Sequence, residues 1–283
     1  MAGQPIGCFP TDRMSGDKPG ASRHHRRVRR PPVLVPLLAI LVSCGGVGRV
    51  AEREVVPVPH VRGTPVPADA AAKWLLASSR ELVAIADGGS LGIDAAPGTQ
   101  RPYLHLGTSN PWGQRLRLSV IRGATDDAGA LWVRLRLPIW PNGQEGWVNA
   151  SEVRLRPTRQ RIVVDLSARR LTRLRGNRVI ARIAVGVGAA PTPTPPGRYS
   201  VWARVATGRP SGPYGSFILG LSGFSEAIQP WNDWPGEPRL AIHGTDDPSD
   251  AGRAVSNGCI RVPNARLRAL RDVPMGTPVV IRP

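Results

Sequence analysis

The sequence predicts a mostly β protein, made of two blocks of short strands with one minor helix. Glycine (32) and proline (30) are abundant among the 283 residues, whereas phenylalanine and tyrosine number three each. This balance favours many turns and short strands over a bundle of long helices. Apolar residues, at 41%, are numerous enough to bury a core. Several segments alternate apolar and polar residues with period two, and no internal repeat is apparent.

The first strand block covers residues 80–156. Leu116, Leu118 and Val120 alternate with polar residues, and so do the apolar residues of 131–137, which predicts strands with one buried face. A turn is expected at residues 141–143, with a further strand from Gly146. On this reading Trp132 faces outward. It could form a ligand groove with two further tryptophans, although tryptophan in so small a domain more often packs in the core. The two further tryptophans of this possible groove are Trp112 and Trp140.

The second strand block covers residues 158–283, where we expect a mostly antiparallel β domain with a minor helix. The prolines of Pro191–Pro196 forbid regular structure there. One helix is predicted after Asn264, which would cap it, with Leu267 and Leu270 at helical spacing. The predicted strands are Ile162–Leu166, Arg170–Leu174, Val179–Val185, Gly197–Val205 and Thr277–Ile281.

The N-terminal residues predict export. A basic stretch, Arg23–Arg30, precedes a short apolar run, Val33–Val42, which is the pattern of a secretory signal and too short to span a bilayer. The run ends in L-V-S-C-G, which resembles the lipobox of bacterial lipoproteins and implies cleavage and diacylation at Cys44. The alternative is an ordinary signal peptide. We therefore expect a signal over 1–44, a proline-rich tether with a short helix over 45–79, and a lipid-anchored protein on the outer face of the cytoplasmic membrane.

The net charge of +18 comes almost entirely from arginine. Such a protein could bind nucleic acid, an anionic membrane or an acidic polymer. The arginines are scattered through strand-like segments, so we expect a soluble basic surface and no nucleic-acid partner. Three cysteines without zinc-site spacing exclude a disulfide-dense scaffold and predict no metal. No cofactor is expected, and the protein is predicted to be a monomer.

Candidate chemistry lies in two clusters, around His243 and around Cys259, sixteen residues apart. A thiol becomes a good nucleophile when a nearby imidazole accepts its proton and holds the thiolate as an ion pair. Gly258 would let a substrate approach the backbone, and Arg261 adds a positive charge that would favour thiolate and bind a carboxylate. Polar and glycine neighbours predict an exposed site. The alternative is that Cys259 is a small buried apolar residue.

The two clusters read I-H-G-T at 242–245 and S-N-G-C-I-R at 256–261, and the chain carries T-P-T-P-P-G-R-Y-S-V at 192–201. Together these segments resemble the L,D-transpeptidase catalytic domain family over about Thr158–Pro283, which implies a β-sandwich there. The run L-W-V-R-L-R-L-P-I-W-P-N-G-Q-E-G-W-V at 131–148 resembles the end of a bacterial Src-homology-3-like barrel, a moderate likeness over about seventy residues.

The first resemblance implies a specific reaction. Cys259 would attack the carbonyl of the third residue of a peptidoglycan tetrapeptide stem, expel the terminal D-alanine, and pass the acyl group to an amine of a second stem. His243 would act as base and acid, with the Gly244 carbonyl orienting its ring. The amides of Gly258 and Cys259 would form an oxyanion hole. The residues expected near the substrate are Ser256, Asn257, Arg261 and Tyr214, with Trp231 and Trp234 on the segment before His243.

One position departs from the family pattern, because Asn257 stands where the family usually has a second histidine. We still expect activity, since His243 remains as base. The alternatives within the enzyme class are transfer to water, giving a carboxypeptidase, or to another protein. The alternative outside it is a non-catalytic wall-binding lipoprotein.

Overall fold

The computed structural model describes residues 81–228 and 237–283, which lie in one compact unit. The predicted signal, tether and lipidation residue Cys44 fall outside the described residues, and so do Trp231 and Trp234. No helix within the described ranges is both long and apolar enough to cross a bilayer.

Seventeen strands and one short α-helix occur in the described residues, which confirms the mostly β prediction. The strands before residue 159 are β1 (Glu81–Ala86), β2 (Ser90–Ile93), β3 (Leu104–Gly107), β4 (Arg117–Thr125), β5 (Leu131–Arg136), β6 (Glu145–Asn149) and β7 (Val153–Thr158). Those after it are β8 (Gln160–Asp165), β9 (Arg170–Arg175), β10 (Arg178–Ala184), β11 (Val187–Gly188), β12 (Gly197–Ala206), β13 (Phe217–Phe224), β14 (Arg239–Thr245), β15 (Ala254–Ser256), β16 (Ile260–Pro263) and β17 (Pro278–Arg282).

The N-terminal strands form an antiparallel five-stranded sheet in the order β6-β5-β4-β1-β7. Leu118 and Leu135 are buried as their alternation predicts. The expectation that Trp132 faces outward is wrong: it is 2% exposed, and its indole Nε1–H donates to Asp126 Oδ2 at 2.8 Å. Trp112 packs edge-on against Trp202 and Trp140 edge-on against Phe224, which agrees with the packing role favoured for these tryptophans over a shared ligand groove.

The C-terminal strands form an eight-stranded sheet in the order β10-β9-β8-β17-β12-β13-β14-β16. Five of its seven neighbouring pairs are antiparallel, while β8–β17 and β14–β16 are parallel. Each of the eight strands contributes side chains to a single apolar core, and this requires the sheet to curve around that core. The parallel pair β14–β16 lies at one edge and carries both chemical clusters.

The segment after β10 links the two edges of this sheet. Gly186 and Arg261 donate backbone N–H groups to each other's carbonyls, both at 2.8 Å. The next two residues form β11, which pairs in parallel with β15. The chain that leaves one edge therefore closes against the strand at the other, beside the cysteine cluster.

The predicted helix is shorter than expected. It comprises α1 (Asn264–Leu267) and continues as a 3₁₀ turn over Arg268–Leu270. The prediction that Asn264 caps it is wrong, because Pro263 occupies the cap position and makes no side-chain cap hydrogen bond. Asn264 instead donates its amide to the Gly212 carbonyl at 2.9 Å, so it anchors a loop beside the site.

Strand β12 belongs to both parts of the fold. Tyr199 and Val201 enter the C-terminal core, whereas Trp202 and Ala203 enter the N-terminal one. A register shift between Val201 and Ala203 accompanies this change of face. Arg239 of β14 completes the junction, with its guanidinium carbon 3.8 Å from the ring centre of Trp202.

Candidate active site

The parallel register of β14 and β16 places the two chemical clusters side by side. Ile242 lies opposite Ile260, and His243 lies opposite Arg261. Since side chains alternate along a strand, Ile242 enters the core while Ala241 and His243 point to the opposite face. Cys259 directly precedes Ile260 and joins this same face, where it packs in a cluster with Ile218 and Ala241. The sheet thus brings His243 and Cys259 to one surface.

The His243 ring is fixed by its own strand. Its Nδ1 lies 2.7 Å from the Gly244 carbonyl oxygen. Because a carbonyl only accepts, Nδ1 carries the hydrogen and Nε2 is left as the proton acceptor. Gly244 in turn donates its N–H to the Tyr214 carbonyl at 2.8 Å, and the Tyr214 ring centre lies 4.9 Å from that of His243. These contacts set both the tautomer and the tilt of the imidazole.

Burial lowers the pKa of His243 from its usual 6.5 to about 4. The positive charge of Arg261 lowers it further, while the bond to Gly244 and the charge of Asp250 act in the opposite direction. The ring is therefore neutral at pH 7 and able to accept a proton. A thiolate–imidazolium pair, which the sequence led us to expect at rest, would have to be formed as the reaction proceeds.

The cysteine lies in a tightly bonded loop. The Ser256 hydroxyl donates to the Cys259 carbonyl at 2.5 Å and accepts the Gly258 N–H at 3.2 Å. Gly258 has φ +105°, a backbone conformation that side chains with a Cβ rarely adopt. Since the Gly258 amide already donates to Ser256, we assign both residues to the shape of the loop rather than to oxyanion binding.

Cys259 and His243 are only 2% and 3% exposed, so the expectation of an exposed site is wrong. Both lie at the floor of a cleft of about 170 Å³. The structure has Cys259 in a disulfide bond. Nucleophilic attack by Cys259 requires its reduced thiol.

One wall of the cleft is an ion-paired network that sequence reasoning missed. Arg261 Nη1 lies 3.3 Å from Asp250 Oδ2, and the Thr245 hydroxyl donates to the same oxygen at 2.7 Å. Asp250 is buried, whereas the Arg261 side chain stays 34% exposed and can offer its other N–H groups to a ligand. An aspartate in a polar loop gives no sequence signal for this partnership.

The cleft brings together most of the predicted site residues. Asn257 is exposed at its rim, and Gly244 and Gly258 contribute backbone only. No group of three or more potential metal ligands occurs in the described part of the chain. The lining residues are Pro213, Tyr214, His243, Thr245, Asp246, Asp247, Asp250, Ser256, Asn257, Cys259 and Arg261.

Fold and site together define a β domain with a cysteine–histidine pair suited to acyl transfer. The family model for the YkuD L,D-transpeptidase catalytic domain matches residues 159–281, somewhat less than half of the chain. The YkuD proteins of Bacillus licheniformis and Bacillus subtilis, both named as L,D-transpeptidases, are each 36% identical over 124 and 121 residues. These matches span 44% and 42% of this chain and 66% and 64% of the relatives.

Solved structures also show partial likeness. An L,D-transpeptidase from Mycobacterium smegmatis aligns with TM-score 0.34 and 16% identity over 54% of this chain and 90% of that one. The catalytic domain of an E. faecium L,D-transpeptidase acylated by ertapenem aligns with TM-score 0.32 and 22% identity, over 44% of this chain and 98% of that one.

Proposed function

We propose that this protein is a peptidoglycan L,D-transpeptidase that works through a thioester on Cys259. The observation that carries this proposal is the placement of His243 and Cys259 on one face of the β14–β16 pair, at the floor of one cleft. The similarity of residues 159–281 to the YkuD catalytic domain supports the choice of substrate class. The chain covers about two thirds of the curated relatives it matches.

The chemistry follows from the neutral imidazole. His243 Nε2 takes the Cys259 thiol proton as sulfur bonds to the carbonyl carbon of the third stem residue. Collapse of the tetrahedral intermediate breaks the peptide bond, and the terminal D-alanine leaves as an amine with the proton returned from Nε2. An amine of a second stem then gives a proton to Nε2 and bonds to the acyl carbon, and the C–S bond breaks to release the Cys259 thiolate, which takes the proton back from Nε2. The product is a cross-link, and the enzyme is regenerated.

The cleft wall accounts for substrate orientation. The partly exposed guanidinium of Arg261 can hold a stem-peptide carboxylate while Asp250 keeps it in place. Asn257, at the rim, supplies an amide donor and acceptor where the family's usual residue is histidine. The base keeps its orientation despite this replacement, because the His243 ring is held by Gly244 of its own strand, β14, and not by Asn257.

The test is acylation of the reduced protein by a carbapenem, followed by intact-mass measurement. We expect one acyl adduct on the wild type and none on Cys259→Ala. Cys44→Ala, which removes a different cysteine, serves as the matched control and should acylate like the wild type. A wild-type protein that is folded and reduced yet takes up no acyl group would contradict the proposal and favour a wall-binding lipoprotein.

The acyl acceptor is tested separately by digesting peptidoglycan incubated with the protein and analysing the muropeptides. New cross-links between third stem residues support transpeptidation. Loss of terminal D-alanine without cross-links would indicate a carboxypeptidase, and stems attached to a protein would indicate an attachment enzyme.

We also propose that residues 80–156 form a bacterial Src-homology-3-like barrel. We further propose that the protein is a monomer, that it is exported, and that lipid on Cys44 holds it at the outer face of the cytoplasmic membrane. Export and lipid anchoring are supported by the N-terminal sequence pattern, in which a basic flank precedes an apolar run with a lipobox-like end. Mass spectrometry of the N-terminal peptide from membrane fractions should show a diacylated Cys44. An unmodified protein in the soluble fraction would contradict the anchor.

A further inference from the structure

The loop that carries Cys259 is held on one side by the segment between β10 and β12. Gly188 pairs with Ser256, and Ala189 donates its N–H to the Ser256 carbonyl at 2.8 Å. The Thr192 hydroxyl donates to the same carbonyl at 3.2 Å. Residues 187–194, which we call the brace, thus hold the start of the loop that ends in Cys259.

Thr194 makes the contact nearest to the nucleophile. Its hydroxyl donates to the Gly258 carbonyl at 2.7 Å and accepts the Gly188 N–H at 2.8 Å. The side chain is 3% exposed, so both bonds are shielded from water. A Cβ on Gly188 would collide with the backbone of Thr192 and Thr194, which shows how closely the brace folds back on itself.

The hydrogen bond from Thr194 to the Gly258 carbonyl also determines where the Cys259 N–H points. The Gly258 carbonyl and the Cys259 N–H belong to one trans peptide unit, in which they point in opposite directions. Fixing the carbonyl toward Thr194 therefore directs the Cys259 N–H away from the brace. Thr194 does not line the cleft whereas Cys259 does, so the N–H is aimed at the cleft side of the loop.

We propose that Thr194 is a positioning residue: by holding the Gly258 carbonyl, it aims the Cys259 N–H at the oxyanion that forms when the sulfur attacks a carbonyl. This inference rests on the proposed function. Of the two amides expected in the oxyanion hole, it keeps that of Cys259, because the Gly258 amide is committed to Ser256. Preorganised donors of this kind lower the barrier because they need no reorientation during the reaction.

The experiment compares two reactions of the same reduced thiol. Acylation by a carbapenem builds charge on an oxygen and needs the oxyanion donor, whereas alkylation by iodoacetamide displaces iodide and needs none. In Thr194→Val we expect acylation to slow roughly 100-fold, the order found on losing one oxyanion donor. Alkylation should change less than about 3-fold. Thr194→Ser keeps the hydroxyl and should restore acylation, and Thr172→Val, on β9, is the matched control.

Three outcomes would overturn the inference while leaving the proposed function intact: Thr194→Val acylates at the wild-type rate, or loses acylation and alkylation in parallel, or is not rescued in Thr194→Ser. A wild type that is alkylated but never acylated would instead overturn the proposed function itself. Thermal unfolding of each variant shows which proteins are folded. If Thr194→Val does not fold, the test uses Thr194→Ser instead. A folded Thr194→Ser that is acylated about 100-fold more slowly than the wild type overturns the inference.

Discussion

His243 shows how one residue's surroundings set the chemistry of the site. The groups that face it are the Gly244 carbonyl, the Tyr214 ring, the guanidinium of Arg261 and the carboxylate of Asp250. Burial outweighs the others and keeps the ring neutral. A thiolate at Cys259 would act in the opposite direction and raise the pKa of His243.

We predict that acid weakens the fold through His243. Its pKa of about 4 in the folded protein lies below the 6.5 of an unperturbed histidine, so the unfolded chain binds more protons between these values. The free energy of unfolding should therefore fall as pH drops from 6.5 to 4. The fall should be about 3 kcal/mol greater for the wild type than for His243→Gln. Urea unfolding of the reduced proteins across this range measures the difference.

The exposed His105 provides the control, because His105→Gln should keep the wild-type pH dependence. Equal slopes for wild type and His243→Gln would contradict the prediction. A wild type that becomes more stable on acidification would also contradict it, because the folded protein would then bind more protons than the unfolded chain.

At the scale of elements, β14 is buried on both faces along its whole length. Leu240 and Ile242 enter the C-terminal core, and the other face meets the cleft and the junction with the N-terminal sheet. The strand continues past His243 into Gly244, whose N–H holds the carbonyl of Tyr214. There is little space around this position, since a Cβ on Gly244 would lie 2.6 Å from Gly215 Cα and collide with the Asn264 side chain.

Gly244→Ala should therefore destabilise the protein by about 2–3 kcal/mol, because the added methyl pushes against backbone that cannot yield. Gly89→Ala is the matched control: its Cβ meets nothing within 4 Å, and its change should stay within about 0.5 kcal/mol. Urea denaturation measures both. If the two variants unfold at the same urea concentration, the close approach of Gly244 and Gly215 does not constrain this strand.

The sequence predicts best the strands that have one buried face and one solvent-exposed face. The alternation in β4, β5 and β10 gives their positions, apart from the inward turn of Trp132. β13 has every residue buried and so no alternation to detect. The parallel pairing of β14 with β16 depends on distant contacts rather than on local pattern.

The candidate active site likewise contains residues that a local pattern reveals and residues that only distant contacts reveal. His243 and Cys259 are identifiable because their chemistry is rare and their neighbours form a motif. Asp250 carries no such mark, and the motif at 192–201 that contains Thr194 does not indicate what its hydroxyl contacts. Thr194 is 64 residues from Gly258 in sequence, and a proline-rich stretch indicates irregular backbone without indicating what that backbone contacts.

At the scale of the whole molecule, a buried cation, Arg239, adds to the contacts that join the two sheets. The Arg239 guanidinium carbon lies 3.8 Å from the ring centre of Trp202 and 4.2 Å from that of Phe224. Its Nη2 donates to the Pro138 carbonyl of the N-terminal part at 3.3 Å and pairs with Glu237 at 2.7 Å. Arg239 shares β14 with His243, so the junction and the site are built on one strand.

Arg239→Met should lower the free energy of unfolding by about 2–3 kcal/mol, through lost cation–π contacts and an unpaired buried carbonyl. Arg282→Met removes a surface pair whose arginine side chain is 61% exposed, and should cost less than about 1 kcal/mol. We expect wild-type unfolding followed by tryptophan fluorescence and by circular dichroism to coincide. Separate transitions, or equal effects of the two substitutions, would show that the sheets are not coupled through Arg239.

The long strand β12 has a practical consequence for anyone who isolates the C-terminal sheet. Trp202 and Ala203 are buried by the N-terminal sheet, and Asn110 donates its amide to the Trp202 carbonyl at 3.1 Å. A fragment that begins at β8 would expose the Trp202 indole and the Ala203 methyl group to solvent, although the rest of β12 would remain intact. Such a fragment would need a substitute cover, either a foreign partner or another copy of itself, to stay dispersed in solution.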